Sequence, residues 1–206
     1  MNYLTHHMGE VSIYSAQHLV LVGTSLAIAI LIALPAGILA GRSPRASSVL
    51  IGTFGVIYTI PSLAVLAVLV HYIGLGFWTA VSMLVIYAQY VLVRNFAAGI
   101  HSVAAAQVEA AVALGMNQAQ RLWRVELPQA FPIMLGGVRI ATIALISIAT
   151  LAGYVNGGGL GTMIFFGLET TNYEKTVAGA LPAIALAIII DALFRLLEKR
   201  ASKNMA

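Results

Sequence analysis

The stretch that decides the fold lies in the middle of the chain, where residues 109–128 read EAAVALGMNQAQRLWRVELP. It belongs to the longest polar interruption of an otherwise apolar sequence. A short helix is predicted at its start, because Ser102 is a suitable N-cap and residues 104–111 are mostly strong helix formers. Gly115 then suits the left-handed position that commonly follows a helix. The pattern predicts a short helix closed by a glycine turn.

A second short helix is predicted directly after this turn. Asn117 is a suitable N-cap, and Gln120 three residues later completes a capping-box pattern. Pro128 predicts that the helix ends near Leu127, because the residue before a proline disfavours helical backbone. Both helices are too short and too polar to cross a bilayer. We therefore expect residues 94–130 to form a helix, a turn and a helix outside the membrane.

The composition around this stretch is that of a membrane protein. Of the 206 residues, 60% are hydrophobic and only 9% are charged, against about 25% charged residues in soluble domains. A bilayer accepts this apolar surface, so we predict one all-α integral membrane domain over residues 1–206. Residues 1–18 contain no Lys or Arg, and we expect no cleaved signal peptide. Without cysteine, the chain has no disulfide and no thiolate metal site.

Five apolar runs are long enough to cross a membrane as helices. Pro61 lies near the middle of the second run and predicts a kink there. Small residues are frequent in the runs, which favours close packing of helices in a bundle. The predicted spans are residues 19–40, 49–73, 75–93, 133–152 and 176–197.

The basic residues predict the orientation of the spans. Ten of the eleven Lys and Arg residues lie on one side of the predicted spans, and only Lys175 lies on the other. The positive-inside rule makes the basic side cytoplasmic, with the N-terminus outside and the C-terminus inside. The net charge of +4 then reflects topology and contact with membrane lipid headgroups, and we predict no nucleic-acid partner.

The polar stretch resembles the EAA loop of ABC-importer permeases. Glu109-Ala110-Ala111, Gly115 six residues after the glutamate, and the closing Leu127-Pro128 match that motif, while Val125 stands where the family more often has Ile. The resemblance implies the type I importer permease fold in a bacterial cell membrane. It also implies that this loop docks on a separate ATPase.

The resemblance gives the motif residues physical roles in docking. Two alanines let the backbone settle into a groove on the ATPase, the glutamate offers an acceptor, and the glycine sets the angle between the helices. The implied partners are a cytoplasmic ATPase dimer, a second permease of like or unlike sequence, and an extracytoplasmic solute-binding protein. The residues implied in docking are Glu109, Ala110, Ala111, Gly115, Leu127 and Pro128.

Three other segments resemble the osmoprotectant branch of these permeases, which imports glycine betaine, choline and carnitine. They are Pro61-Ser62-Leu63-Ala64, the run from Gly157 to Gly161, and residues 178–182. The glycine run is expected to be a tight external loop. Alternatives are a permease for another small solute, such as a methionine-like amino acid, a thiol betaine or a sulfonate, and a membrane scaffold that transports nothing.

A substrate path is predicted from the few polar groups at membrane depth. We place Tyr58, Ser62, Tyr87 and Gln89 along it, because aromatic faces attract quaternary cations without holding them as tightly as carboxylates would. The alternative is that these side chains serve ordinary helix packing.

Other energy sources and chemistries are not predicted for this chain. None of Lys175, Lys199 and Lys203 follows a glycine-rich phosphate loop, so ATP and Mg²⁺ are expected on the partner ATPase, and the chain is predicted to be no enzyme. Asp191 lies where pairing with Arg195 one turn later is expected. The first four predicted spans contain no acidic residue, which argues against a proton-driven carrier. We predict no metal site and no cofactor.

Overall fold

The computed structural model describes residues 6–203, and the side chains of residues 6–200. The ends of the predicted domain, residues 1–5 and 204–206, lie outside the described residues, as does the side chain of Lys203. The described part of the chain is a helical bundle without strands. Its α-helices are α1 Met8–Arg42, α2 Pro44–Thr59, α3 Ser62–Ile73, α4 Phe77–His101, α5 Ala105–Ala113, α6 Gln118–Arg121, α7 Leu127–Ile148, α8 Leu160–Glu169 and α9 Tyr173–Lys203.

The core of the bundle surrounds α4, which packs against α1, α2, α3 and α7. Small residues bring these helices close together. A Cβ atom on Gly41 of α1 would lie 2.6 Å from Cβ of Ile100, and one on Gly99 of α4 would lie 3.0 Å from the Ala130 carbonyl oxygen of α7. The close packing predicted from small residues is therefore present between the three central helices.

The first helix is much longer than the predicted run 19–40. It has 35 residues and a length of about 52 Å, against a hydrocarbon core about 30 Å thick. The apolar run misses the first eleven residues of α1 because polar side chains interrupt it there. Backbone hydrogen bonding does not need an apolar sequence, so the helix continues through them.

The second predicted span is broken rather than kinked. Its two halves, α2 and α3, meet at 93°, and Ile60 and Pro61 between them have extended backbone. The cause is Pro61, which lacks an N–H group and disfavours helical backbone at the preceding residue. By length and composition, four helices among the described residues can cross a membrane, and the bent pair would make a fifth.

The third and fourth predicted spans begin or end in the wrong places. α4 continues eight residues beyond Val93 to His101, because backbone hydrogen bonding does not need an apolar sequence. The polar side chain of Asn95 stays within the helix and donates to the Val91 carbonyl, 2.8 Å away. α7 begins at Leu127 and continues as a 3₁₀ segment, Ala149–Val155. The predicted interruption 94–130 is therefore too long, and the part between α4 and α7 is residues 102–126.

The last helix, α9, packs along α7 and α8. Only 17% of its most apolar 18-residue window is buried, which leaves a broad apolar face for lipid or another membrane chain. Its predicted pair is confirmed: Arg195 Nη2 lies 2.5 Å from Asp191 Oδ2. Arg139 of α7 also pairs with Glu198 at 2.7 Å and lies 3.4 Å from Asp191.

Candidate functional site

Residues 105–126 form one projecting segment, made of α5, α6 and the turn of helix that follows α6. α5 contacts mainly the other parts of this segment. Its predicted N-cap is wrong. Ser102 ends α4 instead, because its hydroxyl donates to the Gly99 carbonyl at 2.7 Å and its N–H to the Ala98 carbonyl at 3.0 Å. α5 begins after Ala104, which occupies the N-cap position without a side-chain hydrogen bond.

The turn between α5 and α6 follows the predicted glycine pattern. Gly115 has φ +77°, a left-handed conformation that glycine adopts at little cost. The N–H of Met116 bonds to the Ala111 carbonyl at 3.1 Å, and that of Gly115 to the Val112 carbonyl at 2.9 Å. These two bonds are the Schellman arrangement, which satisfies carbonyls left free at a helix end.

The predicted capping box at Asn117 is confirmed. Asn117 Oδ1 accepts from the Gln120 N–H at 2.9 Å, and Gln120 Oε1 accepts from the Asn117 N–H at 3.0 Å. The direction of α6 relative to α5 is thus set by two neighbouring motifs, one ending a helix and one starting the next.

The second short helix does not end near Leu127. After α6 the chain forms a π-helical turn, Leu122–Glu126, and runs on into α7. The cause again involves a proline. The ring of Pro128 would clash with the Arg124 carbonyl in a regular α-helix, and the wider turn, in which the Leu127 N–H bonds to the Leu122 carbonyl, accommodates it. The helix is widened instead of stopped.

The predicted docking residues lie in two places, residues 109–115 in the first half of the projecting segment and Leu127-Pro128 at the start of α7, just after the segment ends. Glu109 and Ala110 are exposed on α5, whereas Ala111 beside them is 3% exposed and packs inwards. Gly115 is exposed at the turn. At the start of α7, Leu127 is half-buried and Pro128 is exposed. Their role in docking stays a prediction.

Large apolar side chains are also exposed on the projecting segment. Leu114 is 77% exposed, Trp123 67% and Val112 53%. No local sequence pattern indicates that these side chains are exposed. Exposed apolar groups beside a free carboxylate, that of Glu109, are typical of a surface that a partner covers.

A buried ion-pair cluster joins the end of this segment to α1, and sequence analysis missed it. Glu126 is 4% exposed. Its Oε1 lies 2.7 Å from Arg121 Nε and its Oε2 lies 2.6 Å from Arg42 Nη2. Arg42 is 84 residues away in sequence, so no local pattern could have indicated this pair.

The break in the second predicted span faces a group of tyrosines. The ring centroid of Tyr58 lies 5.9 Å from that of Tyr87 and 5.2 Å from that of Tyr90. The Tyr87 hydroxyl donates to the carbonyl of Ile60, which the break leaves without a helical partner. Tyr90 accepts a hydrogen bond from Arg94 at 3.1 Å. The structure thus brings together two of the four predicted path residues.

The other two predicted path residues lie outside the tyrosine group, Gln89 in the core facing α1 and Ser62 directly after the break. Gln89 is 3% exposed and its Nε2 reaches α1, 3.4 Å from the Ala29 carbonyl, as well as the Val85 carbonyl at 3.1 Å. Its Oε1 accepts no hydrogen bond from the described residues. Ser62 is half-buried at the start of α3.

The glycine run closes the opposite end of the bundle from Arg42. The Gly159 N–H donates to Gln17 Oε1 of α1 at 3.1 Å. His18 beside it is fully buried, with Nε2 3.0 Å from the Ile146 carbonyl oxygen. A Cβ atom on Gly161 would overlap the Thr150 carbonyl oxygen. The tight packing expected of this run is present.

The chain matches one known protein family over most of its length. The sequence profile of the family described as binding-protein-dependent transport system inner membrane component matches residues 33–203. The chain belongs to this family. It is a multi-pass membrane permease subunit of ABC importers, in which separate ATPase subunits hydrolyse ATP, and it is not itself an enzyme.

Curated relatives match almost the whole chain. The choline transport system permease protein OpuBB of Bacillus subtilis is 34% identical over 200 residues, with 97% of this chain and 92% of that protein covered. The osmoprotectant import permease protein OsmY of Salmonella typhimurium is 39% identical over 191 residues, covering 91% and 80%. The glycine betaine/carnitine/choline permease OpuCB of Bacillus subtilis is 34% identical over 202 residues, covering 98% and 93%.

Solved structures share the fold. A chain of the methionine ABC transporter MetNI in an inward-facing conformation superposes with a TM-score of 0.82, covering 94% of this chain and 97% of that one at 20% identity. A chain of an amino acid ABC transporter gives 0.78 at 22% identity, with 96% of both covered. At these identities the likeness concerns the fold.

Proposed function

We propose that this permease imports quaternary-amine osmoprotectants, of the kind represented by glycine betaine, choline and carnitine, by ATP-driven alternating access. The observation that carries the proposal is the set of relatives whose names state these solutes, at 34% to 39% identity over most of the chain. The permease supplies the path through the membrane, and a solute-binding protein outside the membrane supplies most of the selectivity.

The tyrosine group at the break supports a quaternary-amine cargo. Tyr58 is 37% exposed and lies next to an extended stretch of backbone, with the buried ring of Tyr87 and the half-buried ring of Tyr90 packed against it. The chain has no acidic residue between Glu10 and Glu109, so no carboxylate of α2, α3 or α4 can hold a cation tightly there. Aromatic faces attract such cations weakly enough for release. Tyr58 and Tyr87 are therefore proposed path residues, with Ser62 beside the break and Gln89 towards α1.

The projecting segment supports the coupling role. We place the ATPase on the surface formed by Glu109, Leu114 and the glycine turn, with ATP and Mg²⁺ bound by that partner. α6, the π-helical turn, α7 and the 3₁₀ segment after it form one continuous helical run, Gln118–Val155. Packed helices shift as units, so displacement of α6 by the ATPase would move α7 against α4.

The remaining parts of the proposal concern the assembly. Two permeases, of like or unlike sequence, enclose the path over an ATPase dimer, because four or five spans are few for one path. The basic end of the bundle faces the cytoplasm, with the N-terminus outside and the C-terminus inside. The solute-binding protein then meets the end formed by Gly157 to Thr170.

The test of the cargo uses the whole importer, with its ATPase and binding protein, in proteoliposomes. We expect ATP-dependent uptake of radiolabelled glycine betaine, choline or carnitine, and calorimetric binding of the same solute to the binding protein. Uptake of methionine or a sulfonate, with no uptake of these three solutes, would contradict the proposed cargo. A correctly assembled complex that moves none of these solutes would favour a scaffold.

The test of coupling is Glu109→Lys. Because Glu109 is exposed, the reversal should leave the bundle folded and abolish uptake by disrupting the docking surface. The control is Lys199→Glu, a charge reversal of equal size and opposite sign at the exposed end of α9, which should keep uptake. Normal uptake with Glu109→Lys would contradict a docking role for this residue.

A further inference from the structure

We propose that Glu126 is a positioning residue that ties the projecting segment to α1, so that movement of a docked ATPase reaches α1 as well as α7. This inference rests on the proposed coupling function. It concerns how the motion is divided between helices, which neither the docking surface nor the cargo determines.

The geometry of the Glu126 carboxylate carries the proposal. Its two oxygens are used for different neighbours, Oε1 for Arg121 at 2.7 Å and Oε2 for Arg42 at 2.6 and 3.0 Å. Arg121 is the last residue of α6, and Arg42 is the last residue of α1. One side chain therefore connects the segment that receives the ATPase to the end of the longest helix in the bundle.

The π-helical turn explains why Arg121 can reach Glu126. The two residues are five apart in sequence. In a regular α-helix, positions five apart point about 140° away from each other, since each residue turns the chain by about 100°. In a π-helical turn the hydrogen bonds join residues five apart, so these positions lie one above the other. The wide turn that accommodates Pro128 thus also aligns the pair.

Burial makes this connection stiff. The side chain of Glu126 is 5% exposed, and those of Arg42 and Arg121 are 31% and 21% exposed. A buried carboxylate must keep its partners, because an unpaired charge in such a place is strongly unfavourable. Charge-assisted hydrogen bonds from arginine are also directional. Arg42, Glu126 and Arg121 therefore move together unless the cluster is broken.

The position of Arg42 gives the connection a second consequence. Ser43, the next residue, has extended backbone and caps α2 through a 3.3 Å hydrogen bond from the Ala46 N–H. Arg42 thus stands at the joint between α1 and the broken pair of helices that carries Tyr58. A pull on Arg42 acts directly beside that joint.

The experiment compares uptake with ATP hydrolysis in the complete importer. Glu126→Gln keeps the shape and removes the charge, and Arg42→Gln cuts the link to α1 while leaving the Arg121 pair. We expect each to lower solute uptake per ATP hydrolysed by about tenfold while the ATPase still copurifies. The double variant should be no worse than Glu126→Gln alone, because Arg42→Gln removes an interaction that Glu126→Gln already weakens. Arg195→Gln, the control, removes an exposed pair within one helix and should change the ratio by less than about twofold.

The outcomes separate this inference from the proposed function. A wild-type importer without any uptake defeats the proposed function. If the wild type transports and Arg42→Gln has the same uptake per ATP hydrolysed, the role of Glu126 is overturned while the proposed function stands. This holds whether or not Glu126→Gln assembles. Additive losses in the double variant would mean that the two residues act separately and would also overturn it. Loss of ATPase binding in both single variants would assign a purely structural role.

Discussion

The two ends of the bundle are held together by different interactions. At the end with the projecting segment, a carboxylate and two arginines join parts of the chain that otherwise touch little. At the end with the glycine run, backbone lies directly against backbone: a Cβ atom on Gly153 would sit 2.5 Å from the carbonyl carbon of Gly161. Ion pairs can be exchanged and re-formed, whereas close backbone contact leaves no volume for sliding. The helices α1, α4 and α7 themselves are also closely packed beside Arg42, so the difference concerns the projecting segment, called the movable end, and the glycine run, called the fixed end.

The largest effect is expected from adding one methyl group at the fixed end. Gly161→Ala would push against the Thr150 carbonyl, which is backbone and cannot turn away. We expect a destabilisation of about 1–3 kcal/mol, as for overpacked cores, measured as a lower thermal midpoint of the purified complex. Gly23→Ala is the control, since a Cβ there has no atom within 4 Å. Equal midpoints for the two variants would contradict a tightly packed end.

A smaller effect is expected at the glycine of the movable end. A Cβ on Gly115 has nothing within 4 Å, so Gly115→Ala is disfavoured only by its left-handed backbone, at about 1–2 kcal/mol. Uptake should fall because the angle of α5 changes, while the thermal midpoint of the bundle stays the same. Gly115→Asn should keep more uptake, since asparagine tolerates this conformation. If the alanine and asparagine variants transport equally, backbone angle is not what matters there.

The smallest effect is expected at the start of α6. Asn117→Ala removes the acceptor of the Gln120 N–H and should weaken the local helix by about 1 kcal/mol. Amide hydrogen exchange at Gln120 should become faster, with a modest loss of uptake. Gln118→Ala, at an exposed neighbouring position, is the control. Exchange that is as slow as in the wild type would show that other contacts hold α6.

Sequence analysis predicted the parts of the fold that depend on local chemistry. The long apolar runs, the left-handed Gly115 and the Asn117 capping box all follow from residues close together in the chain, and so does the disruption at Pro61, although it is predicted as a kink and is a break. Each of these features has a backbone cause that acts within about four residues.

Prediction from sequence failed where tertiary contacts or the continuity of a helix determined the structure. Ser102 was expected to start a helix but ends one, because its hydroxyl bonds backward to Gly99. Pro128 was expected to stop a helix, yet a π-helical turn takes it in. The role of Glu126 needs both that turn and Arg42 from a distant helix. Tyr87, one of the predicted path residues, contacts Ile60 through the same kind of long-range packing.

The extra residue in the π-helical turn has a consequence for the direction in which the projecting segment is presented. Each residue of an α-helix rotates the chain by about 100° around its axis. The number of residues between Gly115 and Pro128 therefore sets the azimuth of α5 around α7. Deleting one residue there would rotate α5 away from the docked ATPase, although every docking side chain would be intact. The direction in which the docking surface points therefore depends on the number of residues in the segment as well as on the identity of its side chains.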